Sequence, residues 1–249
     1  MDFWLLAVAA VCLALGGILK GATGAGAPVL AVPALAMLVD VRFAVLVMLM
    51  PNLLTNLLQG WRFRRHRLAP RFLLGFAGAG AVGVAVGTAV LAAAPQEALQ
   101  LIVAFAVFLY VGFRLLRPDW SIRRGLADRL SLPAGAVAGF LQGASGLSAP
   151  VSLTFLNAMR LERPVFIATI SVFFVCVTAV QIAALGLAGV LSAHMLLVSV
   201  AAMLPILAFM PVGARLAERL SPAVFDRVIL VLLSALSLKL VYDAAAGAL

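Results

Sequence analysis

The residues best able to do chemistry in this chain sit in two matching interruptions of apolar sequence. "GILKGATGAGAPV" runs from Gly17 to Val29, and "GFLQGASGLSAPV" runs from Gly139 to Val151, 122 positions on and without a gap. Gly17, Gly21, Ala22, Gly24, Ala27, Pro28 and Val29 recur identically, and Thr23 becomes Ser145. Glycine allows positive φ and close backbone approach. Proline suits the first turn of a helix, where its missing N–H is no loss. Each copy therefore reads as helix, glycine-rich turn, helix, with the second helix starting inside the protein. A helix N-terminus carries roughly half a positive charge and free N–H donors, which favours an anion. Thr23 and Ser145 add hydroxyls at equivalent places, and Lys20 adds a fixed cation.

A polar face follows each motif. Asn52, Asn56 and Gln59 stand at i, i+4 and i+7, and Ser171, Thr178 and Gln181 form the corresponding face. Polar side chains in a membrane helix are expected to face the bundle interior. The candidate binding set is Lys20, Gly21, Thr23, Gly24, Gly26, Asn52, Asn56, Gln59, Gln142, Gly143, Ser145, Gly146, Ser148, Thr178 and Gln181. Neutral donors beside one cation fit a small oxyanion better than a sugar or a metal. Plainer readings stand beside this one. Lys20 can snorkel to an interface. The motif glycines can serve close helix packing, as Gly75, Ala79, Gly83 and Gly87 do by their four-residue spacing, and Asn52, Asn56 and Gln59 can be interhelical glue. Packing alone gives no reason for a matched proline and hydroxyl.

The elements that must position these residues belong to a bilayer. Of 249 residues, 65% are hydrophobic and 11% charged, against roughly 25% charged in a soluble domain. The pattern is all-α and polytopic, without the strand alternation of a membrane barrel. Apolar segments fall at 3–19, 25–39, 43–60, 72–94, 98–116, 132–143, 148–159, 165–187, 192–213 and 222–241. Spanning takes roughly 20 helical residues, so 132–143 and 148–159 are too short to cross singly and 25–39 is marginal. Cys12 and Cys176 read as buried small hydrophobes, and the N-terminus, lacking a basic n-region, as a retained helix.

The basic residues orient these segments. Apart from Lys20, Arg42 and Lys239 they cluster at helix ends, which is a topology signal rather than a nucleic-acid surface, despite a net charge of +9. The positive-inside rule places the loops 61–71, 114–130, 160–164 and 214–220 in the cytoplasm. Segment 43–60 then runs inward while its repeat partner 165–187 runs outward. The chain divides into an N-terminal repeat (1–116), a cytoplasmic linker (117–130) and a C-terminal repeat (131–249). The repeats are inverted copies, each a broken hairpin followed by three spanning helices. Inverted repeats with Gly/Pro-interrupted segments at matching positions point to a secondary transporter with its site near the midplane.

Other chemistries lack their residues. No Ser/His/Asp set, H-E-x-x-H or cysteine–histidine cluster appears, so the chain does not read as an enzyme. His66 lies among arginines and His194 begins a helix; neither has a metal-ligand partner at a useful spacing, and no cofactor is implied. Asp40 and Arg42 read as a surface pair. All nine acids, Asp2, Asp40, Glu97, Asp119, Asp128, Glu162, Glu218, Asp226 and Asp243, sit near segment ends, so no carboxylate relay is expected at the midplane.

With Gly17, Gly21, Gly24, Gly26 and Pro33 near the N-terminus and the motif repeated mid-chain, the sequence resembles the sulfite exporter TauE/SafE family, membrane transporters of the 4-toluene sulfonate uptake permease type. The resemblance covers essentially the whole chain. It implies inner-membrane transport of sulfite, organosulfonates or related small sulfur and carboxylate anions in a bacterial cell. Lys20 looks like the basic residue that one subgroup carries between the first two motif glycines. The second copy departs from the pattern, reading "GLSAP" from Gly146 to Pro150 where many members are richer in glycine and proline. The expected partners are a small anion and the bilayer, with homo-oligomerisation open. The expected mechanism is rocking of two inverted halves; the alternative is an anion channel using the same pocket.

Overall fold

A computed structural model describes residues 3–117, 119–219 and 222–247. Asp2 and the side chains of Glu218, Arg219, Asp226 and Arg227, which carry parts of the topology reading, lie outside the described residues. The chain forms α1 (Phe3–Thr23), α2 (Ala27–Leu38), α3 (Val41–Arg62), α4 (Pro70–Ala93), α5 (Gln96–Leu116), α6 (Arg124–Ser145), α7 (Ala149–Ala158), α8 (Arg163–Leu187), α9 (Ala193–Ala201), α10 (Met203–Arg219) and α11 (Pro222–Gly247). No strand occurs among the described residues. Helices α1, α3, α4, α5 and α8 are each long and apolar enough to cross a membrane, as is the run Ala193–Leu216. Their outer faces are greasy: Leu187 is 91% exposed and Leu116 80%. Such surfaces suit lipid, not water.

Three local expectations change. The segment 132–143 is the apolar end of a 22-residue helix, α6, which starts at Arg124 inside the stretch read as linker. Hydropathy misses its first turns because they are charged, yet an Arg124–Asp128 pair at i,i+4 supports them. The segment 192–213 divides at Ala202. Pro205 has no N–H for the carbonyl of Ala201, and its ring crowds that carbonyl. The region 214–220, read as a loop, is the last part of α10 up to Arg219.

Proline also disturbs α3, and a neighbour repairs it. Pro51 cannot donate to Val47 O. Ser199 of α9 donates its hydroxyl to that carbonyl at 2.9 Å and accepts from Met50 N–H at 2.9 Å. A freed carbonyl in a membrane helix needs such a donor. Asp40 and Arg42 are not an ion pair. The Asp40 carboxylate caps α3 by accepting from Phe43 N–H at 2.7 Å, while Arg42 donates to Leu91 O at 2.9 Å and to Ala94 O at the end of α4. Each charge therefore satisfies a helix end. Cys12 and Cys176 are half-buried.

The halves interlock. Helix α1 packs on α10 and α6 packs on α4, so the first helix of each half lies against the other half. A Cβ at Gly17 would strike Ile206 O, and one at Gly21 Met210 O; at Gly139 and Gly143 it would strike Gly80 O and Val84 O. Gly213 faces Ile18 O just as Gly87 faces Phe140 O. Every pair is the repeat equivalent of the other. Backbone-to-backbone packing this close admits glycine alone. The packing reading is thus realised at Gly17, Gly21, Gly139 and Gly143, as well as at Gly83 and Gly87.

Candidate functional site

Both glycine motifs fold as two helices around a left-handed turn. Helix α1 ends at Thr23 and α2 begins at Ala27; α6 ends at Ser145 and α7 begins at Ala149. Gly24 (φ 79°) and Gly146 (φ 72°) make the turns, and Gly26 (φ 114°) adds a second left-handed residue in the first copy only. A side chain in that region of φ is strained, which explains the glycines. Gly24 N–H closes onto Lys20 O, and Gly146 N–H onto Gln142 O, both at 2.8 Å.

Thr23 and Ser145 serve these turns. Thr23 donates to Leu19 O at 2.8 Å and Ser145 to Leu141 O at 2.7 Å, while each oxygen accepts from the N–H two residues on. Their hydroxyls satisfy the broken helix ends rather than facing a solute, and Thr23 is exposed. The tip of each turn rests on the third helix of the other half: Gly24 against Ile167 of α8, and Gly146 against Val45 of α3.

Helices α3 and α8 pack together between the two hairpins and carry the polar side chains. Lys20, only 1% exposed, donates from Nζ to Asn56 Oδ1 at 3.2 Å. Asn56 Nδ2 donates to Asn52 O at 2.7 Å and Asn52 Oδ1 at 2.8 Å. Asn52 Nδ2 in turn donates to Thr178 Oγ1 at 2.9 Å. All links run in one direction, so the Thr178 oxygen is occupied and its own O–H remains to donate. Hydrogen bonds aligned in this way polarise one another in a medium of low dielectric.

The relay ends at a cavity of about 10 Å³, bordered by Pro28, Asn52, Gln142, Gly146, Thr178 and Gln181 with Val45, Met48 and Leu49. That is room for about one water. Gln181 Nε2 donates to Gln142 O at 3.2 Å and Gly143 O at 3.4 Å, fixing the end of α6. The Oε1 atoms of Gln142 and Gln181 are buried and have no hydrogen-bond partner in the protein. A buried amide oxygen without a partner needs a hydrogen-bond donor, such as a water, to complete its bonding.

Helix α2 borders the cavity with its first turn, whereas the second half contributes the Gly146 turn rather than the start of α7. Pro28 has no N–H, and Val29 N–H turns back to Gly26 O at 3.0 Å, so few main-chain donors of α2 remain to meet a solute. Ser148 accepts from Ser152 Oγ at 3.0 Å. Of the candidate set, Lys20, Asn52, Asn56, Gln142, Gly143, Gly146, Thr178 and Gln181 come together. Gly21, Thr23, Gly24, Gly26, Gln59, Ser145 and Ser148 lie outside the cavity lining, as do Lys20, Asn56 and Gly143, which join it through hydrogen bonds. Gln59 Oε1, with Ser171 Oγ and Thr169 Oγ1, is buried without a partner on the same two helices. Thr88 was not singled out by motif reasoning. Its hydroxyl is also buried and unpartnered, and its N–H lies against Gly143. Its signal was plain: it is the one hydroxyl in the apolar run 70–93.

Among the described residues Lys20 is the one charged side chain that is buried, and no Asp or Glu accompanies it. No group of His, Cys, Asp or Glu suited to a metal occurs among those residues. A search of curated proteins and a search of solved structures each returned no match. The family model described as "Sulfite exporter TauE/SafE" matches residues 8–240. With that match spanning nearly the entire chain, the protein belongs to the sulfite exporter TauE/SafE family.

Proposed function

We propose that this membrane transport protein carries a small, singly charged sulfur oxyanion such as hydrogensulfite, the protonated form of sulfite, or an organosulfonate, which binds where the relay meets the cavity. The observation carrying this reading is the buried Lys20, hydrogen-bonded to a neutral amide and unmatched by any buried carboxylate among the described residues. An uncompensated buried charge is costly, and a solute of opposite sign relieves the cost. Lys20 need not touch that solute. Its charge is transmitted through Asn56 and Asn52, so the Thr178 O–H faces the anion as the terminal donor.

The 10 Å³ cavity is too small for such an anion, so binding requires the helices around it to move apart. This supports a carrier with an occluded state over a continuous pore. A wider depression of about 450 Å³, lined by Asp40, Arg42, Phe43, Leu46, Gln96 and Met195, lies by the turns assigned to the outside and serves as a vestibule there. Residues 1–116 and 131–249 are the two repeats, and the arginine-rich ends face the cytoplasm of a bacterial inner membrane. Export can run on voltage: a monovalent anion leaving a cell at about −100 mV gains about 2.3 kcal/mol. Counterflow of labelled sulfite in proteoliposomes tests the reading. Acceleration by unlabelled sulfite or sulfonate on the far side is expected. Flux that rises linearly with concentration, without exchange, would favour a channel.

A further inference from the structure

A second polar recess, well away from Lys20, lies where the two halves are joined. It is a cavity of about 170 Å³ bounded by Arg114 at the end of α5, Arg117 and Trp120 in the connection, and Thr154, Asn157 and Arg160 at the end of α7. Its walls are held in place. Ile122 N–H donates to Ala158 O at 2.9 Å, Phe113 and Trp120 pack edge-to-face at 5.0 Å, and Arg160 donates to Asp119 O at 3.0 Å. Arg160 has φ 50°, the one non-glycine residue with positive φ among those described. That conformation is costly for a long side chain and persists where surrounding contacts enforce it.

Arg114, Arg117 and Arg160 thus line one recess, where Arg160 stands 3.9 Å from Asp119, whose side chain is 99% exposed. Guanidinium forks match tetrahedral oxyanions, phosphate above all. The volume falls below the 300 Å³ or so typical of drug-sized ligands, which suits a headgroup rather than a nucleotide. The surroundings add a membrane signature. Helix α5 is of spanning length, Tyr110, Phe113 and Trp120 stand at its end, and Leu115 and Leu116 beside the arginines are 63% and 80% exposed. Aromatic residues of this kind gather at headgroup level, and basic pockets there hold anionic lipids. We infer that this recess binds the phosphate group of an anionic phospholipid, with Arg117 and Arg160 on the phosphate and the acyl chains along Leu115 and Leu116.

The test is lipid-dependent thermal unfolding of the purified full-length protein in detergent. Titrants are phosphatidylglycerol, phosphatidylcholine with the same acyl chains, and free glycerol phosphate. Variants are Arg117→Ala, Arg160→Gly, which removes the side chain while relieving the backbone, their combination, and Arg71→Ala as an exposed charge elsewhere. Phosphatidylglycerol is expected to stabilise the wild type where phosphatidylcholine does not. Its apparent affinity should fall about fivefold in each single variant and about thirtyfold in the double variant. Arg71→Ala should stay within about twofold. Equal stabilisation by glycerol phosphate, lost in the same variants, would keep the phosphate site and assign it to a soluble ester. An undiminished phosphatidylglycerol effect in the double variant, or an equal loss in Arg71→Ala, would overturn the proposal.

Discussion

The two glycine hairpins share a backbone and differ in chemistry. Their turns use equivalent left-handed glycines, Gly24 and Gly146, and equivalent hydroxyl brackets from Thr23 and Ser145. Both sets of packing glycines meet the backbone of the opposite half. Yet Lys20 in the first copy aligns with Gln142 in the second, Asn56 with Thr178, and Gly26 with Ser148. The first hairpin supplies a buried charge and the head of a relay. The second supplies neutral acceptors and the cavity wall. The two copies thus agree where steric fit demands it and differ at Lys20/Gln142 and Gly26/Ser148.

The comparison can be broken most forcefully at the packing glycines. Val at Gly21 or at Gly143 would drive a side chain into the main chain of Met210 or Val84. Overpacking against backbone costs about 3 kcal/mol or more, so both variants should lose most folded protein in size-exclusion and thermal-melt assays. A tolerant member of the pair would show that the scaffold is not duplicated in its energetics. The next effect is chemical. Lys20→Gln, which makes the two hairpins alike, should fold normally but lower anion uptake about thirtyfold or more, the worth of a hydrogen bond to a charge. Adding Gln142→Lys to that variant should restore part of the uptake if either hairpin can carry the cation.

Asn56→Asp sets a carboxylate beside Lys20, and the resulting ion pair should abolish uptake while leaving the melting temperature unchanged or higher. Wild-type uptake in this variant would show that the buried charge does not serve the anion. Thr178→Val keeps the shape but removes the relay's terminal O–H, and about a tenfold loss of uptake is expected. The smallest difference concerns the hydroxyl brackets. Thr23→Ala and Ser145→Ala should each cost about 1 kcal/mol in urea unfolding. The buried Ser145 should cost more, since its loss leaves Leu147 N–H without its acceptor away from water.

Much of this was legible in the residues. Long apolar runs dictate helices in lipid because no other backbone arrangement satisfies its own hydrogen bonds there. The duplicated "GATG" and "GASG" stretches marked both breaks, and Pro28 and Pro150 marked where helices resume. The polar face of α3 announced Asn52 and Asn56 by their spacing alone. Hydropathy failed where charge disguised a helix, at Arg124–Ser131, and the break before Pro205 was hidden inside an unbroken apolar run.

The sequence by itself determined the solvent, the helices, the two breaks and the kinds of side chain that had to be hidden. Those properties are local, set by hydrophobic burial and backbone geometry over a few turns. Partner choice was decided only in three dimensions. Gly17 and Gly21 proved to be contact surfaces for α10, Thr23 and Ser145 closed their own turns, and Lys20 reached Asn56 on another helix. Those outcomes depend on which helices cross and how closely, and a one-dimensional pattern carries no distance between residues 36 positions apart.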